Sequence, residues 1–129
     1  MIQKGFSVLK IEEKNKIATV SLNRPDLRNA FNSEMIAALT QTFTEFSDRK
    51  DLIAVVLKGE GKSFCAGADL SWMKSMVDYS VEENTKDSVE LFKMFEAILT
   101  CSMPVIGVIH GHAMGGALGL VAACDYVIA

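Results

Sequence analysis

Residues 103–129 read MPVIGVIHGHAMGGALGLVAACDYVIA, and the parsing of this stretch decides the architecture. A membrane-spanning helix needs roughly 20 uninterrupted apolar residues. Here Pro104 opens the stretch, His110 and His112 interrupt it, and Asp125 closes it. The better parse is a buried strand from Val105 to Ile109, a loop from Gly111 to Gly116, a short small-residue helix from Gly116 to Cys124, and a further strand starting at Tyr126. A strand covered on both faces is apolar throughout, so the run needs no bilayer.

Upstream, the same alternation repeats. Ile53 to Leu57 (IAVVL) is a second short β-branched run, ended by the loop Lys58-Gly59-Glu60-Gly61-Lys62. Between Ser33 and Arg49, the positions Met35, Ile36, Leu39, Phe43 and Phe46 recur at helical spacing. A second long helix is predicted from Ser80, where Ser80 and Glu83 form a capping-box pattern, with Leu91, Phe92, Phe95, Ile98 and Leu99 as its buried stripe. Phe6 to Glu12 and Ile17 to Leu22 alternate with period two around a polar turn at Glu13–Lys16, which is a hairpin signal ended by Asn23-Arg24-Pro25-Asp26. Strands alternating with helices predict an α/β chain with a mainly parallel sheet.

The 129 residues fit one domain, and 22% charged residues is ordinary for a globular chain. A net charge of -3, with no Lys/Arg run, gives no footprint for nucleic acid or an anionic membrane. Cys65, Cys101 and Cys124 are odd in number and widely spaced, so neither a disulfide framework nor a zinc pattern can be drawn; reduced thiols in a cytoplasmic protein are expected. The N-terminus, MIQKGFSVLKIEEKNK, has no apolar signal core. His110 and His112 form an HxH pair, but a metal needs a third ligand and no Asp, Glu or Cys is placed to supply one. Ser75, Ser88 and Ser102 lack the setting of a nucleophilic elbow, and neither GxxxxGK[ST] nor GxGxxG is present.

Chemistry is expected at the two small-residue loops, Ser63-Phe64-Cys65-Ala66-Gly67-Ala68-Asp69-Leu70 and Gly111-His112-Ala113-Met114-Gly115-Gly116. Each follows a buried strand and leads into a helix, at the edge where open α/β sheets bind ligands. Side by side, they can aim two backbone N–H groups at one oxygen, an oxyanion hole. Small residues there serve close helix–sheet packing equally well.

These loops, with ATVSLNRPDLRNAF before them, carry a specific resemblance. ATVSLNRPDLRNAF, SFCAGADL and MPVIGVIHGHAMGGALGLVAACDYVIA occur in the order seen in the enoyl-CoA hydratase/isomerase (crotonase) family. Asp69-Leu70-Ser71-Trp72-Met73-Lys74, with Asp78-Tyr79-Ser80 and Glu82-Glu83-Asn84, most resembles bacterial methylglutaconyl-CoA hydratases. The resemblance implies a crotonase-like spiral of ββα turns, of which residues 1–129 would be the N-terminal part of a single domain without its C-terminal helical part. It implies acyl-CoA thioester substrates and no cofactor, CoA being part of the substrate. By the same resemblance Ala66 and Gly116 supply the oxyanion-hole N–H groups. Arg28, Asn29, Ala30, Ala68, Asp69 and Leu70 border the CoA, and Trp72 and Met73 line an acyl pocket. Plainer roles stand beside these: Asp69 as a helix cap, Arg28 as a solvated charge, Trp72 and Met73 as core.

Two departures from the family pattern matter. Gly119 occupies a position where many hydratases carry a glutamate, and the other family glutamate would fall beyond Ala129. Glu60 is a weak local substitute, and Asp125 reads as a structural carboxylate. With no proton-transfer group identified, the 129-residue chain is not expected to turn over appreciably; the resemblance implies enoyl-CoA hydration, of methylglutaconyl-CoA in leucine degradation, with isomerisation or silent acyl-CoA binding as alternatives. A full-length protein of this kind is expected to form a trimer or hexamer, and the 129-residue chain to expose apolar surface and associate.

Overall fold

The computed structural model describes residues 7–78 and 80–129. Phe6, expected in the first strand, and Tyr79, part of the helix-entrance motif, lie outside the described residues. Five strands form one sheet in sequential order: β1 (Leu9–Lys14), β2 (Ile17–Leu22), β3 (Ala54–Gly59), β4 (Val105–Val108) and β5 (Tyr126–Ile128). β1 and β2 are antiparallel, and every later pair is parallel. The hairpin turn is tighter than the sequence predicts. Lys14 pairs with Ile17, leaving only Asn15 and Lys16, both at positive φ (54° and 66°), as a two-residue connection of the type that matches strand twist.

The parallel strands are joined by α1 (Ser33–Ser47), then α2 (Leu70–Ser75) and α3 (Val81–Leu99), then α4 (Ala117–Ala123). Successive parallel strands are neighbours, and the helices that connect them form one layer. There α1 packs on α3 and α3 on α4. Ala18, Val20 and Leu22 of β2, Val55 and Leu57 of β3, and Val105 of β4 turn toward that layer and are fully buried.

Helix α1 starts where Asn32 accepts from Met35 N–H at 3.1 Å. It buries the predicted stripe Met35, Ile36, Leu39, Phe43 and Phe46, with Ala38 and Thr42. Each large apolar side chain so buried contributes roughly 1.5–3 kcal/mol. Helix α3 also starts as predicted, Ser80 Oγ accepting from Glu83 N–H at 3.1 Å. Its stripe differs. Met94 and Ile98 are fully buried and Leu91 and Phe95 pack at their edge, whereas Phe92 and Leu99 are 62% and 64% exposed. Positions 91, 94, 95 and 98 form the helical face turned to the core; 92 and 99 lie on the adjoining stripe.

The last strand is three exposed residues, pinned by Ile109 N–H donating to Ile128 O and by Asp125, whose carboxylate accepts from Val105 N–H at 2.8 Å. Asp125 is thus the structural carboxylate that the sequence predicts. Among the described residues, no helix is long and apolar enough to cross a membrane.

Candidate active site

Parallel strands put three connections at the same sheet edge: residues 23–32 after β2, 60–69 after β3 and 109–116 after β4. They extend the sheet by main-chain pairing. Phe64 and Cys65 N–H donate to His110 and His112 O, and Cys65 O accepts from Met114 N–H. On its other side the middle loop bonds the first: Ala66 N–H donates to Arg28 O, Phe31 N–H to Gly67 O and Asp69 N–H to Phe31 O, all at 2.8–2.9 Å. The two small-residue loops are therefore adjacent, as expected.

Their pairing corrects the choice of donor. Ala66 N–H is committed to Arg28 O at 2.9 Å and is not available to a substrate oxygen. Ala68 N–H, two residues on, takes no protein partner among the described residues. Its direction is fixed, because it shares a trans peptide with the Gly67 carbonyl that Phe31 N–H holds, and the two ends of that peptide point oppositely. Gly116 N–H is likewise unpartnered among the described residues. Gly116 N lies 3.4 Å from the point that a Gly67 Cβ would occupy, and that Cβ would also meet Met114 O at 2.7 Å. With φ at +90°, residue 67 has to be glycine for the loops to approach so closely.

Two of the residues expected to border the CoA, Asn29 and Asp69, have side chains engaged within the loops, Asp69 in the capping role also expected for it. Asn29 is fully buried at φ 57°; its Oδ1 accepts from Arg24 N–H at 2.7 Å, and its Nδ2 donates to Glu60 O at 2.8 Å and Ser63 O at 2.9 Å. Asp69 caps α2 by accepting from Trp72 N–H at 3.0 Å and pairs with Arg24 at 3.1 Å. Arg24 also donates to Ala30 O. The main-chain N–H groups of Asn29 and Asp69 are engaged as well, by Arg24 O and Phe31 O, and Ala30 is buried beside them. Arg28, Leu70 and Met73 are exposed at the loop surface, and Trp72 is half-buried with its ring edge-on to Phe31, centroids 6.3 Å apart. Arg24, absent from the sequence-based candidates, is the part-buried cation that ties the first loop to Asp69; the Arg-Pro turn gives no signal of it.

The Trp72 N–H, with burial opposing and Arg24 assisting, holds the Asp69 carboxyl below its ordinary value of about 3.9. A depressed folded-state pKa gives stabilisation that is complete above the unfolded value and lost as pH falls through the folded one. Asp69→Ala is expected to cost about 1–3 kcal/mol at pH 7. In urea titrations the gap from the parent chain narrows below about pH 4; an equal gap at pH 3 and pH 7 would contradict this account.

Other candidate groups are engaged elsewhere. The Glu60 carboxylate is 3.5 Å from Lys10 Nζ. A ring nitrogen of His110 is 2.7 Å from Gly61 O. The described residues contain no group of three or more His, Cys, Asp or Glu side chains suited to a metal ion. At Gly119, an added Cβ would meet the Phe95 ring at 2.7 Å. Gly119→Glu is therefore expected to destabilise the chain by about 1–3 kcal/mol through overpacking, and Phe95→Ala in the same chain to relieve most of that cost. A double-mutant cycle with no coupling between the two positions would refute the contact as the cause.

A sheet grown by ββα turns, with paired main-chain loops at one edge, has clear relatives. The chain belongs to the enoyl-CoA hydratase/isomerase family, whose family model matches residues 12–129. Among curated proteins it is 36% identical over 120 residues to the short-chain-enoyl-CoA hydratase of Clostridium acetobutylicum, covering 92% of this chain and 45% of that protein. Solved structures of enoyl-CoA hydratases from Shewanella pealeana and Mycobacterium smegmatis superpose with TM-scores of 0.90 and 0.87, at 33% and 35% identity. Each match covers 93% of this chain and 45% or 46% of the other. The fold is part of the crotonase-like spiral, and the chain spans about half the length of the curated relatives it matches.

Proposed function

We propose that this chain binds an acyl-CoA thioester and polarises its carbonyl with the N–H groups of Gly116 and Ala68, as the enolate-stabilising part of an enoyl-CoA hydratase. The observation that carries the proposal is the pair of unpartnered main-chain donors on two interlocked loops. Adding water across a conjugated thioester moves negative charge onto the carbonyl oxygen, and fixed donors there lower the barrier. Each correctly placed donor is worth about 3–4 kcal/mol in a dry site. The names of the relatives support hydration, and the 45% coverage supports residues 1–129 as the N-terminal part of one crotonase-like domain. The reaction so proposed needs no cofactor beyond the CoA of the substrate. It is assigned to the cytoplasm, in keeping with three unpaired cysteines, and the full-length protein to a trimer or hexamer.

Trp72 and Met73, on the helix directly after Ala68, are proposed to contact the acyl group; their setting in the Asp69–Lys74 motif favours a methylglutaconyl-like substrate of leucine degradation. A second reading, enoyl-CoA isomerisation, is favoured by Phe95 over Gly119, because moving a double bond needs a single proton shuttle. The deciding experiment adds crotonyl-CoA, methylglutaconyl-CoA or a 3-enoyl-CoA to the purified chain and follows both binding and the conjugated-thioester absorbance. Binding without turnover, unchanged by Glu60→Ala, is the expected result. Turnover lost in Glu60→Ala would make Glu60 the proton-transfer group, and product analysis would name the reaction. Folded protein that binds none of the three refutes the proposal.

A further inference from the structure

We infer that Cys65 is a positioning residue for the polarising site, its buried thiol tying the Asn29 carbonyl to the Gly67 amide and thereby fixing the glycine from which the peptide that presents Ala68 N–H departs. The inference rests on the thioester-polarising reading above. Cys65 is fully buried, with Sγ 3.2 Å from Asn29 O, and Gly67 N–H donates to the same sulfur at 3.4 Å. Donating to one group while accepting from the other requires the protonated thiol, and burial pushes the Cys65 pKa up to about 11.

The main chain of Cys65 completes the junction. Its N–H donates to His112 O and its carbonyl accepts from Met114 N–H, both at 3.1 Å. This one residue therefore joins all three loops of the sheet edge. Through Asn29 the junction continues to Ser63 O and Glu60 O. Two successive peptides of the 63–69 loop are then clamped in different ways. The Ala66–Gly67 peptide is held at its N–H by the sulfur, and the Gly67–Ala68 peptide at its carbonyl by Phe31. Between them Gly67 sits at φ +90°, a position from which glycine turns easily in either direction. Without the sulfur, the first clamp is gone and the Gly67 N–H is left inside the protein unpaired, a costly state relieved by rotating the peptide. That rotation turns Gly67 itself, so the bond from Phe31 N–H to Gly67 O is strained and the next peptide carries the Ala68 N–H off line, where it contributes little to polarising a carbonyl.

The test uses the whole 129-residue chain with cinnamoyl-CoA, whose conjugated absorption moves to the red when its carbonyl is polarised, and free CoA as the control ligand. With one of two donors misaligned, Cys65→Ala is expected to lose roughly half of the red shift while free-CoA affinity changes by less than about two-fold. Cys65→Ser, which keeps a donor and an acceptor, is expected to restore the shift. A Cys65→Ala spectrum matching the parent overturns the inference and leaves the thioester reading intact. A parent chain that binds cinnamoyl-CoA with no red shift overturns both.

The second measurement needs no variant. In amide hydrogen exchange on the parent chain, Gly67 is expected to exchange at least about ten-fold more slowly than Gly115. Equal rates would show that the sulfur does not hold the Gly67 N–H, and would overturn the inference however Cys65→Ala folds.

Discussion

Gly116→Val is expected to remove thioester polarisation and to lower stability at once, the largest effect of any single change in this chain. At φ -60° and ψ -18° the backbone of residue 116 suits valine, so the damage is steric. A Cβ there would sit 2.6 Å from Cζ of Phe31, a ring 1% exposed and packed against Trp72. Overpacking of this kind costs about 1–3 kcal/mol. The ring can yield only by shifting Phe31, whose N–H and carbonyl hold Gly67 O and Asp69 N–H on either side of Ala68. Both donors are therefore disturbed by one substitution, and loss of a single donor already costs about 10²–10³ in rate. The check is the cinnamoyl-CoA spectrum alongside urea denaturation. A Gly116→Val chain with the parent red shift would show that the Phe31 ring yields without moving either donor, and would refute the steric account.

The second large effect is on stability. Asn29→Ala removes the acceptor for Arg24 N–H and the donors for Glu60 O and Ser63 O at a site with no solvent access. Buried groups left unpaired each cost about 1–3 kcal/mol, so a total of about 3–5 kcal/mol is expected after partial relaxation, with a melting temperature lower by on the order of 15 °C. The left-handed conformation of residue 29 adds to the penalty, since asparagine tolerates it better than alanine. A melting temperature within about 3 °C of the parent would show that these bonds contribute little net stability. The site then responds secondarily, because Asn29 O also accepts from Cys65.

Local pattern made much of the architecture legible. The α1 stripe, the Ser80 cap of α3, the buried strands β3 and β4 and the parallel order of the sheet follow from spacing and β-branched runs. Helix α3 shows where pattern stops. Leu91, Phe95 and Ile98 and the pair Phe92 and Leu99 form two overlapping apolar stripes, and only packing between α1 and α4 decides that the first is central. The second borders an open apolar groove of about 430 Å³ with Gly119, Ala122 and Ala123. The site divides in the same way. The two loops were visible from composition and resemblance, but whether Ala66 or Ala68 offers its N–H depends on pairing with residues 28–31, some 35 positions earlier. That long-range register leaves no mark in the SFCAGADL motif itself. The motif likewise does not show that the Asn29 and Asp69 side chains build the loops; that follows from their burial and from partners distant in sequence.

The groups proposed to polarise the thioester, at residues 68 and 116, belong to the main chain, which every amino acid other than proline carries. Exposed side chains at this edge can therefore change without removing either donor, whereas Gly67, Gly116 and the buried Phe31 cannot. On the proposed reading, the exposed Met73 is open to replacement without touching either donor, so a new acyl preference can be acquired there by ordinary mutation. Inheritance of the chemistry and change of the substrate are kept on separate atoms of the same loops.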